Sequence, residues 1–317
     1  MKILLASPID PAAHERLKHD HDVRRLNGTD LRAAGADREV VVLRSGVLLT
    51  EEVLCAADTL RLVVRAGSGV DNIDLECARR RGVRVVRVPG MSAPPVAEFT
   101  FALLLSLARN VTLADRLVRA GHWPKPDLGG PLLRGKVHGI VGAGNIGGEV
   151  GELAAAWGME VLGCVAHPSD AVADSLSRRG IRLCGFDEVV SSADFVTLHV
   201  PLDESTHHMV DAAVLERMRP GSLLVNVARG GVVDEKALYE ALIDRSTVAG
   251  AALDVHETEG EGTVPALAEL PNVVLTPHIG AMALDSQRLI GERVVDLVHA
   301  FARGSLDEEV RDGEHVV

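Results

Sequence analysis

The chain has 317 residues, enough for two domains that each bury their own core. It is 47% hydrophobic and 25% charged but only 3% aromatic, so Val, Leu and Ala must fill the interiors, as suits strands covered on both faces by helices. A formal net charge of −12 argues against nucleic acid as a partner, because phosphate binding needs a basic surface; a small anionic substrate stays open, since local arginines decide that question.

Strand-like runs alternate with helical stretches almost throughout, which predicts an α/β fold with parallel sheets. In the first third the strand runs are residues 2–7, 40–43, 62–65 and 83–88, separated by helix-compatible segments at 11–19, 51–57 and 75–81. A second series begins near Lys136, with strands at 137–141, 160–164, 194–200, 222–227, 248–253 and 272–276 and helices at 146–157, 212–217 and 234–243. Between the two series, residues 94–120 predict a helix that starts after Pro94-Pro95. It is apolar around most of its circumference and is expected to be buried, between domains or against a second subunit. A last helix over 284–302 returns to the first domain and makes that domain discontinuous. The expected division is therefore 1–94 with 283–317 as one domain and 95–282 as the other, two doubly wound sheets with a cleft between them.

Cys55, Cys77, Cys164 and Cys184 form no CxxC pair and read as reduced thiols. The chain opens directly on a strand rather than a cationic and apolar leader, and the run 99–108 falls well short of the roughly 20 residues that span a bilayer. These features predict a cytoplasmic protein with no membrane partner.

Gly142-Ala143-Gly144-Asn145-Ile146-Gly147 follows an apolar strand and opens a helix. The first glycine allows a tight turn, the second lets backbone approach a pyrophosphate, and the third packs helix against strand. This is a dinucleotide signal. The acidic residue expected at the end of the second strand, which would bind ribose hydroxyls, is missing: that stretch reads Val165-Ala166-His167-Pro168-Ser169, with no carboxylate before Asp170. His167 and Ser169 could contact a 2′-phosphate, but no arginine is present there, so NAD and NADP both remain open.

Ligands of doubly wound sheets bind beyond the carboxyl ends of strands. Arg229, followed by Gly230-Gly231, sits there with a planar fork suited to a carboxylate. His278, between Pro277 and Gly280, sits there with a near-neutral acid/base. Glu259 falls in an acidic loop with Glu257 and Glu261. The first series places Arg44-Ser45-Gly46, Ala66-Gly67-Ser68-Gly69-Val70-Asp71 and Pro89-Gly90 at the corresponding positions.

With these residues in view, the chain resembles the D-isomer-specific 2-hydroxyacid dehydrogenase family over nearly its whole length, nearest its phosphoglycerate dehydrogenase branch. The resemblance is carried by residues 65–74 (RAGSGVDNID), 225–235 (VNVARGGVVDE), 252–255 (ALDV) and 276–280 (TPHIG). It implies that Arg229 binds the substrate carboxylate, that His278 is the acid/base and that Glu259 is its carboxylate partner. It also implies cofactor contacts from the glycine loop, His167, Val200, Pro201, Thr206, Val227, Ala228, Arg229, Asp254, His278 and Gly280. Substrate contacts would come from Arg44, Arg65, Gly67, Ser68, Gly69 and Arg87, and the family is typically a homodimer through its cofactor domain. Arg87 stands where an asparagine is common, Phe99 where a histidine is common, and Gly260 replaces a common proline. The added cation favours a 2-hydroxy or 2-oxo acid with a second anionic group. The rivals are a nicotinamide-sensing corepressor-like protein and a phosphite- or formate-type dehydrogenase.

Overall fold

The computed structural model describes residues 1–27, 30–244 and 247–317. The chain divides into two compact units, Met1–Ser92 with Met282–Val317, and Ala93–Ala281.

In the first unit, strands β1 (Lys2–Leu5), β2 (Asp22–Arg25), β3 (Val40–Leu43), β4 (Leu62–Arg65) and β5 (Arg84–Arg87) alternate with helices α1 (Pro11–Asp20), α2 (Leu31–Gly35), α3 (Glu51–Ala56) and α4 (Leu75–Arg80). The sheet order is β2-β1-β3-β4-β5, parallel throughout. β3 and β4 are buried at every position, as their Val/Leu runs require of central strands. Parallel register sets Arg65 beside Arg87 at the carboxyl ends of β4 and β5. Edge strand β2, with the sequence DVRR, carries no apolar run and is not visible in the sequence pattern.

The second unit opens with α5 (Ala93–Ala108) and α6 (Val111–Arg119). Its strands are β6 (Val137–Val141), β7 (Glu160–Cys164), β8 (Arg182–Leu183), β9 (Phe195–Leu198), β10 (Ser222–Asn226), β11 (Val248–Leu253) and β12 (Val273–Leu275). Helices α7 (Asn145–Ala156), α8 (Asp170–Arg178), α9 (Phe186–Ser192), α10 (Ala212–Arg217) and α11 (Glu235–Asp244) lie between them. The order β12-β11-β10-β9-β6-β7-β8, again parallel, reverses direction between β6 and β9. That reversal is the point at which doubly wound sheets open a crevice at their strand ends.

The apolar segment after Pro94 differs from the single helix expected. The helix starts at Ala93, with both prolines inside its first turn, and breaks at Asn110, whose φ of 54° is left-handed. Asparagine tolerates that conformation better than most residues, and its Nδ2 donates to the Gly129 carbonyl at 3.1 Å. α5 packs against α7, β10, β11 and β12 inside its own unit, so it is a core helix there. Past the 60° bend, α6 has no buried residue and exposes Val111 and Val118. No single helix among the described residues is long and apolar enough to cross a membrane.

The last two helices, α12 (Leu284–Arg303) and α13 (Leu306–Glu309), belong to the first unit, where α12 packs on α1 and β4. Arg293 of α12 is buried and donates to both carboxylate oxygens of Glu314, at 2.8 and 2.6 Å. All four cysteines are unpaired thiols.

One core histidine makes a pH prediction. His138 on β6 is fully buried, and burial lowers its pKa to about 4. Its Nε2 lies 3.0 Å from Thr197 Oγ1, which His199 Nε2 also approaches at 2.9 Å. Native His138 therefore stays neutral where an unfolded histidine, near 6.5, already holds a proton. Its contribution is complete above pH 6.5 and is lost as pH falls toward 4, a total of about 3 kcal/mol. Urea unfolding midpoints should fall between pH 7 and pH 5 more steeply in wild type than in His138→Leu. Parallel slopes in the two proteins would contradict this account.

Candidate active site

The glycine loop is built by sterics. Gly142 has φ +92°, and a Cβ there would lie 2.8 Å from the His199 carbonyl. A Cβ on Gly147 would meet the Gly142 carbonyl oxygen at 2.3 Å, so this glycine brings α7 down onto the loop after β6. Around Gly144 there is open space, and this residue caps α7 without a side chain. The first N–H groups of α7, beginning at Asn145 and Ile146, are thus presented beside a space that a Cβ would partly fill. A pyrophosphate fits that arrangement.

Beyond β7 the chain runs through half-buried Val165 and exposed Ala166 and His167. Ser169 Oγ accepts from Val172 N–H at 3.3 Å and is engaged as the cap of α8, with Asp170 in that helix's first turn. After β9, half-buried Val200 leads to exposed Pro201, whose carbonyl accepts from Thr206 Oγ1 at 2.7 Å and closes a turn.

After β10, Val227 and Ala228 are buried and Arg229 is half-buried. Asn226, wholly buried, clamps this loop: its Oδ1 accepts from Ala228 N–H at 3.0 Å and its Nδ2 donates to the Arg229 carbonyl at 2.9 Å. Arg229 NH1 donates to the Ala228 carbonyl at 2.7 Å. Gly230 then passes so close to the next loop that a Cβ would lie 1.9 Å from the His256 carbonyl oxygen.

After β11, buried Asp254 organises the turn that carries His278. Its carboxylate accepts from Thr276 Oγ1 (2.7 Å), Ile279 N–H (2.9 Å) and Gly280 N–H (2.8 Å). Its carbonyl accepts from His278 N–H at 2.7 Å. Gly280 leaves room for this: a Cβ there would meet Asp254 Oδ2 at 3.0 Å and Phe99 at 3.5 Å. His278 itself is held at φ +55°, an uncommon conformation for a histidine, and the hydrogen bonds around it are what hold it there.

His278 Nδ1 lies 2.9 Å from Glu259 Oε2. A carboxylate only accepts, so Nδ1 carries the proton and Nε2 is left to take or give one. Burial pushes the Glu259 carboxyl up, but the hydrogen bond and charge of His278, together with His256 N–H, outweigh it and hold the carboxyl below its ordinary range. The structure thus brings Glu259 and His278 together, and places the Arg229-Gly230 segment against the start of the Glu259 loop. Neither Asn226, although it lies within the 225–235 motif, nor His256 carries a sequence signal for the contacts it makes.

In the first unit, Arg44 is half-buried, which lowers its pKa, and its NH1 donates to Gln287 Oε1 at 2.7 Å. Arg65 is buried with NH1 on the Ala66 carbonyl at 3.0 Å, packed so that a Cβ on Gly67 would lie 2.5 Å from it. Arg87 donates to the carbonyls of Ser68 (3.2 Å) and Gly313 (2.7 Å), and Ser68 Oγ pairs with Ser92 Oγ at 3.0 Å. Gly69 lies next in this loop, half-buried.

Comparison with known proteins identifies the family. Residues 101–280 match the family described as D-isomer specific 2-hydroxyacid dehydrogenase, NAD binding domain. The D-3-phosphoglycerate dehydrogenase of Methanocaldococcus jannaschii is 38% identical over 314 residues, 98% of this chain; the chain spans 59% of that protein's length. The hydroxypyruvate reductase of Thermotoga maritima is 35% identical over 94% of this chain and 97% of its own. The crystal structure of an NAD-dependent formate dehydrogenase from Staphylococcus aureus, in complex with NAD, superposes with a TM-score of 0.88 at 30% identity, covering 100% of this chain and 99% of that one. With its paired parallel sheets, glycine loop and histidine–carboxylate pair, the chain belongs to the D-isomer specific 2-hydroxyacid dehydrogenase family.

Proposed function

We propose that the chain is a nicotinamide-dependent oxidoreductase that interconverts a small 2-hydroxy acid and its 2-oxo acid, acting on one with a second anionic group. The observation that carries this reading is the 2.9 Å hydrogen bond between His278 Nδ1 and Glu259, next to the loop that carries Arg229. The bound nicotinamide supplies or accepts the hydride. His278 Nε2 takes the hydroxyl proton in oxidation and returns it to the carbonyl oxygen in reduction, and Glu259 stabilises the imidazolium formed in between. Arg229 grips the carboxylate with its planar fork.

Gly142, Gly144, Asn145, Ile146 and Gly147 are assigned to the pyrophosphate. Val200, Pro201, Thr206, Val227, Ala228, Asp254 and Gly280 are assigned to the nicotinamide half, and His167 to the adenosine end. Arg44, Arg65, Gly67, Ser68, Gly69 and Arg87 are assigned to the rest of the substrate. The proton-transfer pair disfavours a formate-type reaction, in which no proton need be abstracted from the substrate.

Following nicotinamide absorbance against 2-oxo acids with and without a second anionic group, with NADH and NADPH in parallel, tests the reading. Turnover of a doubly anionic acid is expected; no turnover on any 2-oxo acid sinks the proposal. A homodimer through the second unit belongs to the same proposal, supported by the exposed valines of α6. A single monomeric species in sedimentation velocity would overturn that part.

A further inference from the structure

Every residue from Glu257 to Val264 is exposed, and two of them, Gly260 and Gly262, have positive φ. Glu259 therefore rides on a segment that no apolar packing holds in place. Ordering such a segment costs backbone entropy, which its polar anchors must offset.

Those anchors converge on His256. Its backbone N–H donates to Glu259 Oε1 at 3.3 Å. Its ring Nε2 lies 3.0 Å from the carbonyl oxygen of Thr276, two residues before His278. A carbonyl only accepts, so Nε2 carries the proton. Nδ1 then faces Glu235 Oε1 at 3.9 Å and has no hydrogen-bond partner among the described residues. One residue thus touches both sides of the Glu259–His278 hydrogen bond.

Glu235, the first residue of α11, completes the arrangement. Its Oε1 accepts from Glu257 N–H at 2.7 Å, and its own N–H donates back to Glu257 Oε1 at 3.3 Å. The same Glu257 oxygen pairs with His208 Nε2 at 2.8 Å. The Glu235 side chain is 14% exposed and that of His256 12%, so both sit behind the exposed loop rather than in solvent.

We propose that His256, backed by Glu235, is a positioning residue that sets the Glu259–His278 hydrogen bond. The functional half of this inference rests on the dehydrogenase reading; the structural half does not. Asp254 independently ties down the His278 turn, so removing the His256 ring frees the Glu259 loop and leaves that turn in place.

The test compares His256→Leu with His256→Gln, whose side-chain amide can still donate to Thr276. In the active protein His256→Leu lowers kcat by about 100-fold, the usual consequence of a misplacement near 1 Å, with substrate KM and cofactor affinity little changed. His256→Gln recovers most of that loss. A second readout needs no turnover. The downfield imidazole N–H proton of His278, assigned by its loss in Glu259→Ala, should be visible by NMR in wild type and His256→Gln and exchange-broadened in His256→Leu. If His256→Leu does not fold, Glu235→Ala carries the same measurements with the same expected loss. An undiminished proton signal and an unchanged kcat in the folded variant overturn the proposal. Wild-type protein that shows the signal but turns over no 2-oxo acid overturns the dehydrogenase reading instead, and the NMR comparison still decides the positioning.

Discussion

Replacing His278 with asparagine is expected to lower turnover by roughly 100- to 10,000-fold, the range that a positioned general acid/base contributes. Asparagine is the informative replacement because the backbone at this position is left-handed, with φ +55°. Alanine would add backbone strain to the loss of the imidazole, whereas asparagine tolerates the conformation. The turn should survive, since its bonds run from backbone N–H groups and Thr276 to Asp254 and do not use the imidazole. Cofactor affinity, measured by quenching or calorimetry, should therefore stay near wild type while kcat collapses. Turnover within a few-fold of wild type would remove His278 from the reaction. Glu259→Gln should cost less, because glutamine can still accept from Nδ1 but supplies no charge to stabilise an imidazolium. The wild-type pair also has a predictable acid limit. Because the Glu259 carboxyl is held below its ordinary range, the pair's contribution is complete above that range and is lost as pH falls through the depressed value.

The features legible from the sequence are those whose causes are local. Gly147 is required by its contact with the Gly142 carbonyl five residues earlier, and Gly142 by its own φ of +92°, so the motif and its geometry coincide. The central strands are fully buried Val/Leu runs, and their register follows from parallel pairing. Elements without such a pattern escaped: β2 with its charged residues, the two-residue β8, and the polar helices α8 and α9 on either side of it. The break at Asn110 escaped because one left-handed residue leaves the hydrophobic period almost untouched. The same division runs through the site. Arg229 and His278 are visible because each follows a buried strand. Asn226 clamps its own loop two and three residues on, a task its residue type alone does not announce, whereas the task of His256 depends on which loop lies across from it: its ring nitrogen meets Thr276 twenty residues later. No spacing rule encodes that meeting. Arg65 and Arg87 show the opposite effect. The family resemblance makes them substrate ligands, yet the fold also uses their guanidinium groups to hold the carbonyls of Ala66, Ser68 and Gly313.

Arg229→Lys is expected to lower kcat/KM by about 10- to 100-fold, since a charge-assisted hydrogen bond contributes about 1.5–3 kcal/mol and lysine cannot reproduce the paired geometry. The charge is kept, so long-range attraction of an anionic acid is unchanged, and what disappears is the fork. Its loss has two consequences that kinetics can separate. The carboxylate is held less firmly, which raises KM. The C2 carbon is also free to turn away from His278, which lowers kcat because alignment is lost in the transition state. The backbone should not move with the side chain, because Asn226 holds Ala228 N–H and the Arg229 carbonyl from the buried side. Lysine does forgo the bond from NH1 to the Ala228 carbonyl, but that carbonyl lies on the same clamped loop. Unfolding midpoints and cofactor affinity should therefore stay close to wild type. A change confined to KM would reduce Arg229 to a binding group with no part in alignment. A kcat/KM within twofold of wild type would contradict the fork altogether and send the search for the carboxylate site to the arginines of the first unit.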